Sequence, residues 1–173
     1  LKGDPDEDLM PHVIEGTISA SRFVEEAHKQ NTSVGILTTA IYIAAVIDEM
    51  SLRDRKLPVI VSVPVNLRTF FPSDTTRNFF GVINISYQPE ESGIDLAKIT
   101  QTVKESFEHH LSMDQITQTM NSYSALEHNI AIQVAPLMLK DLGINKLNLL
   151  AKSGVTGTIS NLGRINMPDA AVP

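Results

Sequence analysis

The chain has 173 residues, 42% of them hydrophobic, and a formal net charge of −6. That length suits one domain around a single sizeable core, since domains commonly run about 100 to 200 residues, and the acidic balance excludes a binder of phosphate backbones, which needs a basic stripe to displace counterions. The absence of cysteine excludes a disulfide scaffold, thiolate metal ligation and a thiol nucleophile, and a cytoplasmic setting is expected.

Leu1 opens an acidic segment with Asp4, Asp6, Glu7 and Asp8, where a secretion signal would be basic and then apolar. A start at leucine suggests a piece of something longer. Residues 12–18, HVIEGTI, read as a strand, and Ser19 or Ser21 then caps a helix to about Gln30, broken at Asn31 and Thr32. A second helix over 33 to about 50 is apolar nearly all round, the pattern of an element covered on most sides. Its apolar run is interrupted by Thr38, Thr39 and Tyr42 and falls short of the roughly 20 residues a bilayer crossing requires, so no membrane span is expected. The basic cluster at 53–56 reads as a solvated loop.

LPVIVSVPVN (57–66) is a β-branched run, the mark of a central strand buried on both faces, with Pro64 implying incomplete pairing near its end. After an irregular stretch, FFGVINISY (79–87) alternates Ile83, Ile85 and Tyr87 against Val82, Asn84 and Ser86 and reads as the next strand. Ser92 with Asp95 spells a capping box for a helix whose stripe is Leu96, Ile99, Val103 and Phe107, and Ser112 with Gln115 spells a second for a helix toward Tyr123. Residues 130–152 read as helix, bent near Pro136 and Gly143, and VTGTISN (155–161) as a closing strand.

HHLSMD (109–114) has the two histidines, three spacers and aspartate of the acyltransferase signature HHxxxDG, with Gln115 where the glycine belongs. That chemistry needs the second histidine at a strand end in a channel, where its imidazole takes a proton from an acceptor hydroxyl or amine. Here His109 and His110 end an amphipathic helix, with His110 near its apolar stripe, and Asp114 lies in the first turn of the next. Helix dipoles favour histidine at a C-terminus and aspartate at an N-terminus, which accounts for every letter. His110 and Asp114 also offer two metal ligands without an obvious third, so no metal site is expected.

Two other stretches, VPVNLRTFFPSDTTRNFFGVIN (63–84) and GTISNLGRINMP (157–168), resemble parts of the C-terminal half of the chloramphenicol-acetyltransferase-like superfamily. This group holds alcohol O-acetyltransferases, polyketide-associated acyltransferases and the condensation domains of peptide synthetases. The order of elements is similar over nearly all of the chain. The resemblance implies an α/β, CoA-dependent acyltransferase-like lobe, a mixed sheet with helices packed on it. Residues 1–173 would then be a single domain, the excised C-terminal half of a two-lobed enzyme, without the N-terminal lobe that carries HHxxxDG and without the last strands. No catalytic residue is expected in this chain, His110 and Asp114 standing only as an alternative.

The resemblance further implies a donor that is a thioester of coenzyme A or of a carrier-protein phosphopantetheine, with no tightly bound cofactor. The partners would be the missing lobe and acyl-CoA or an acyl carrier protein. Asn66 and Arg68 match the Asn-Leu-Arg turn, Gly81 and Asn84 a glycine-then-asparagine pattern on the next strand, and Ser160, Asn161 and Gly163 a Ser-Asn-Leu-Gly strand end beside the channel. Thr156 and Thr158 share a strand face with Ser160, a row of hydroxyls suited to a pantetheine arm or an oxyanion. Phe70, Phe71, Phe79 and Phe80 line either an acyl channel or the core. Two other readings stand beside this one: a non-catalytic, condensation-like lobe that binds a partner or carrier protein, and a small trimeric acetyltransferase with HHLSMD at its interface.

Overall fold

The computed structural model describes residues 12–74, 76, 78–90, 93–128, 141, 154–161 and 163. The fold is α/β, with a small mixed three-stranded sheet and helices packed on one of its faces. Residues 12–18 form no strand; they are exposed, Ile14 most of all at 97%. A strand-like stretch forms a strand only where an edge accepts it, and no strand among the described residues pairs with this segment.

Helix α1, Ala20–Lys29, follows Ser19, whose hydroxyl bonds Ser21 Oγ (3.1 Å) rather than capping a backbone N–H. It stops at Asn31, whose φ of 50° is a left-handed conformation that asparagine tolerates. The N–H groups of Asn31 and Thr32 close the helix end on the carbonyls of His28 and Ala27, both at 2.9 Å. Helix α2, Val34–Glu49, begins at Ser33, whose Oγ accepts the Ile36 N–H at 3.3 Å. Within it the Thr38 and Thr39 hydroxyls donate to the carbonyls of Val34 and Gly35, at 2.8 Å each, which is how two polar groups sit in an apolar helix. α2 is covered on most sides, as its composition implies: Leu37, Thr39, Ala40, Ile43 and Ile47 are buried and only Ile41, Ala45, Asp48 and Glu49 are exposed, Ile41 at 42%. No single helix among the described residues is long and apolar enough to cross a membrane.

Strand β1, Val59–Asn66, is the central strand, antiparallel to β2, Phe80–Tyr87, on one side and parallel to the short β3, Gly157–Thr158, on the other. Backbone bonds from Thr156 N to the Ile60 carbonyl (2.8 Å) and from Ile159 N to the Ser62 carbonyl (3.0 Å) extend β3 at both ends. Even-numbered residues of β1 thus turn their backbone groups toward β3. At Pro64, which has no N–H to give, that ladder has already ended.

Helix α3, Leu96–His110, is capped by Asp95, whose Oδ1 accepts from Ala97 N (3.0 Å) and Lys98 N (3.2 Å). The aspartate does the capping that the sequence pattern assigns to Ser92, which lies outside the described residues. Helix α4, Met113–Glu127, starts after Ser112, whose Oγ accepts from Gln115 N at 3.4 Å. The helix and bend expected over 130–152 lie outside the described residues, apart from a helical Asp141.

Val59, Val61 and Val63 of β1 and Ile85 and Tyr87 of β2 face α2 and α3, where they pack with Ile43, Ile47, Ile99 and Val103. On the opposite sheet face the expectation that β1 is buried on both sides holds only in part, while β2 shows the partly polar face its alternation implies. Ile60 and Pro64 there are half-buried, Asn84 and Ser86 exposed, and Phe80 and Val82 are 54% and 48% exposed. Ser62 is nevertheless buried on this face, because its hydroxyl bonds Asn84 Oδ1 at 2.6 Å across the strand pair.

Tyr42 of α2 sets how closely β3 approaches. A Cβ on Gly157 would overlap the Tyr42 hydroxyl and lie 2.8 Å from its Cζ, so the ring rests directly on the glycine backbone.

Candidate functional site

β1 and β3 run parallel, so their carboxyl ends lie at the same end of the sheet, the place where ligands gather in open α/β sheets. A concavity of about 470 Å³ lies there. Its walls come from the first turns of α2 (Gly35, Thr38), the end of β1 (Val65, Asn66), the end of α3 (Phe107, then Leu111), and Ser160 and Asn161 beyond β3. The start of α2 turns the positive end of its dipole toward this space. The floor is apolar, from Val63, Val65, Phe107 and Ile159, the rim carries hydroxyl and amide groups, and none of the described lining residues is charged.

The two asparagines are held by their own turns. Asn66 Oδ1 accepts the Arg68 N–H (3.1 Å), and its carbonyl accepts the Thr69 hydroxyl (2.9 Å). Asn161 Oδ1 accepts the Gly163 N–H (2.8 Å), and Gly163 has a φ of 66°, a conformation glycine adopts without Cβ strain. In each asparagine this engages the carbonyl oxygen and leaves the amide NH₂ as the side chain's donor.

The structure therefore brings Asn66, Ser160 and Asn161 together from the two sequence stretches. It does not bring in the rest. Thr156 is half-buried with its Oγ1 accepting the Ile60 N–H (3.1 Å), so it completes the sheet edge, and Thr158 sits opposite Ser62, exposed. Asn84 is bonded to Ser62 on the open face, and Arg68 is exposed in the turn after β1. Gly81 lies against the Leu67 side chain, where a Cβ on the glycine would stand 3.4 Å from Cδ2. Sequence reasoning missed Gly35, Thr38 and Phe107. The Ser33 cap was the one available signal that a helix starts here.

His109 and His110 do occupy the last turn of α3 and Asp114 the first turn of α4. His109 and Asp114 are exposed; His110 is half-buried, its ring 5.3 Å from that of His109 in an edge-on arrangement. His110 lines a separate recess of about 80 Å³ under the α3–α4 corner, with Gln115, Ile116 and Met120 on one side and Leu67, Gly81 and Ile83 on the other. Among the described residues no cluster of three His, Cys, Asp or Glu side chains could hold a metal ion.

At the far end of the sheet the electrostatics are structural. Lys98 forms an ion pair with Glu90, and the Tyr87 phenol is raised above its ordinary value, first by burial and then by the negative charge of Glu90.

No family model, curated protein or solved structure matches this chain.

Proposed function

We propose that this chain is the C-terminal lobe of a two-lobed acyltransferase that moves an acyl group from a coenzyme A or carrier-protein thioester to an alcohol or amine. One observation carries the reading. The concavity at the carboxyl ends of β1 and β3 joins an apolar floor to a neutral hydroxyl and amide rim, with no charged residue in its described lining. A pantetheine arm has that character: an uncharged chain of amides and methylenes, needing hydrogen bonds at intervals and dry surface between them. Asn66, Ser160 and Asn161 hold the arm, and the donor groups of Ser160 and Asn161 face the carbonyl region. The base that takes the acceptor's proton comes from the companion lobe, since none of the described lining residues titrates near neutrality.

That same lack of a titrating group favours a second reading, a lobe that binds a carrier-linked arm without reacting it. Coenzyme A titrated calorimetrically into the chain tests the shared step. Binding is expected, and Ser160→Ala or Asn161→Ala weakens it about three- to tenfold, the worth of one hydrogen bond. Binding that ignores both substitutions overturns the site. Acetyl transfer to a small alcohol by the 173 residues alone overturns the need for a companion lobe, whereas transfer only when the full-length protein is used separates the enzyme from the non-catalytic lobe.

A further inference from the structure

The two edges of the sheet are built differently. β3 closes one of them with only two residues. β2 forms the other over eight residues, and β1 is its one strand neighbour among the described residues. A row of open N–H and C=O groups templates further pairing, so natural edge strands are blunted by shortness, a charge, a proline or a bulge. FGVINISY has no charged residue and no proline, and its register with β1 runs without a bulge from Phe80 to Tyr87.

The register fixes which backbone groups are open. The Leu67 N–H donates to the Phe79 carbonyl at 3.2 Å, so the odd-numbered residues of β2 spend their backbone groups on β1. Phe80, Val82, Asn84 and Ser86 turn theirs outward. All four residues are exposed, and among the described residues none of their N–H groups has a backbone partner.

We propose that this edge is an interaction surface for a second copy of the chain, the two β2 strands pairing antiparallel about a two-fold axis at Ile83 and joining the two sheets into one. A two-fold interface requires a surface that complements itself. In the register centred on Ile83, Phe80 of one copy faces Ser86 of the other and Val82 faces Asn84, so every outward residue of β2 meets an outward residue. Any shift along the strand leaves at least one of them unmatched. No charge on β2 is set opposite its like, and Phe80 and Val82, about half exposed in the single chain, lose water on the open face. The pairing does not depend on what the concavity at the other strand ends binds.

The test is backbone hydrogen exchange of the 173-residue chain across a dilution series, with its mass followed by sedimentation. Dimers are expected at high micromolar concentration, with the amides of Phe80, Val82, Asn84 and Ser86 protected there and exchanging freely on dilution to monomer. The amides of Ile83 and Ile85, bonded to β1, stay protected throughout. Ser86→Pro removes one outward N–H and no bond to β1. The two-fold counts that loss twice, so association weakens about thirtyfold, the worth of two hydrogen bonds. Val82→Lys sets two lysines beside the axis and also weakens association, an effect that added salt partly reverses. A chain that stays monomeric at high concentration overturns the proposal. A dimer whose even-numbered β2 amides exchange freely overturns it too, because the copies then meet elsewhere. Protection that survives dilution to monomer does the same, because a segment of the same chain or a co-purified peptide then holds the edge. If Ser86→Pro costs Ile83 and Ile85 their protection, the strand itself has failed, and Val82→Lys with the wild-type dilution series decides.

Discussion

The side-chain oxygens of Asn66 and Asn161 do the same thing at the ends of neighbouring parallel strands. Each Oδ1 accepts the backbone N–H two residues on, from Arg68 at 3.1 Å and from Gly163 at 2.8 Å. Both asparagines lie on the rim of one concavity. The same bond from a backbone N–H to an asparagine oxygen is thus used twice on one rim.

If that device holds the rim, Asn66→Ala and Asn161→Ala each destabilise the fold by about 1 kcal/mol, the net worth of a hydrogen bond whose backbone donor loses its partner. Aspartate keeps the acceptor, so Asn66→Asp and Asn161→Asp cost less than half as much. Urea midpoints at unchanged slope measure both; equal losses for alanine and aspartate would discard the turn as their role.

Gly157 and Tyr42 form a close pair in which a methyl group has no room. Gly157→Ala is expected to cost about 1–3 kcal/mol, because Tyr42 must swing off the strand. Combined with Tyr42→Ala, the same substitution becomes nearly free. A double-mutant cycle with no coupling between the two positions contradicts this packing.

The two faces of the sheet predict opposite outcomes for neighbouring residues of β2. Ile85, fully buried against α2 and α3, loses about 2–5 kcal/mol on substitution by alanine. Val82, on the open face at 48% exposure, changes stability by no more than about 0.5 kcal/mol when replaced by threonine. Thermal or urea unfolding of both variants checks the assignment, and a large loss at Val82 would mean that this face is covered.

Tyr87 gives the chain an alkaline limit. Its folded pKa lies above the ordinary 10.0, raised by burial and then by Glu90, so the unfolded state releases the proton first. Its contribution to stability is complete below about pH 10 and is lost as pH rises through the folded value. Urea midpoints followed from pH 8 to about 11 should fall for the wild type, and Tyr87→Phe should remove that part of the slope. An identical slope in the variant assigns the loss to other groups.

Much of the local structure was legible because its causes lie within about four residues. Ser33 and Ser112 cap through their own hydroxyls, the stripe Ile99, Val103 and Phe107 repeats at helical spacing, and Ile83, Ile85 and Tyr87 alternate at strand spacing. Where reading the letters went astray, a longer-range cause decided. HVIEGTI has the pattern of a strand but pairs with no edge among the described residues, and VIVSVPV has the composition of a fully buried strand but, among the described residues, packs against helices through Val59, Val61 and Val63 and leaves Ile60 and Pro64 half-buried. At α3 the cap was a near miss of a different kind: both Ser92 and Asp95 had the chemistry, and Asp95 sits one residue before the helix, where its oxygen reaches two N–H groups.

The sequence by itself determined the starts of α2 and α4, the two long strands and the place where Pro64 forbids a hydrogen bond, because these follow from side-chain chemistry and backbone geometry over a few residues. Only the tertiary structure decided that Thr156 would spend its hydroxyl on Ile60, 96 residues away, that Gly157 would lie under Tyr42, and that Asn66 and Asn161 would share a rim. The physical reason is that parallel pairing joins strands through a long crossover, so which residues meet is set by how the whole core packs and not by any pattern local to either strand.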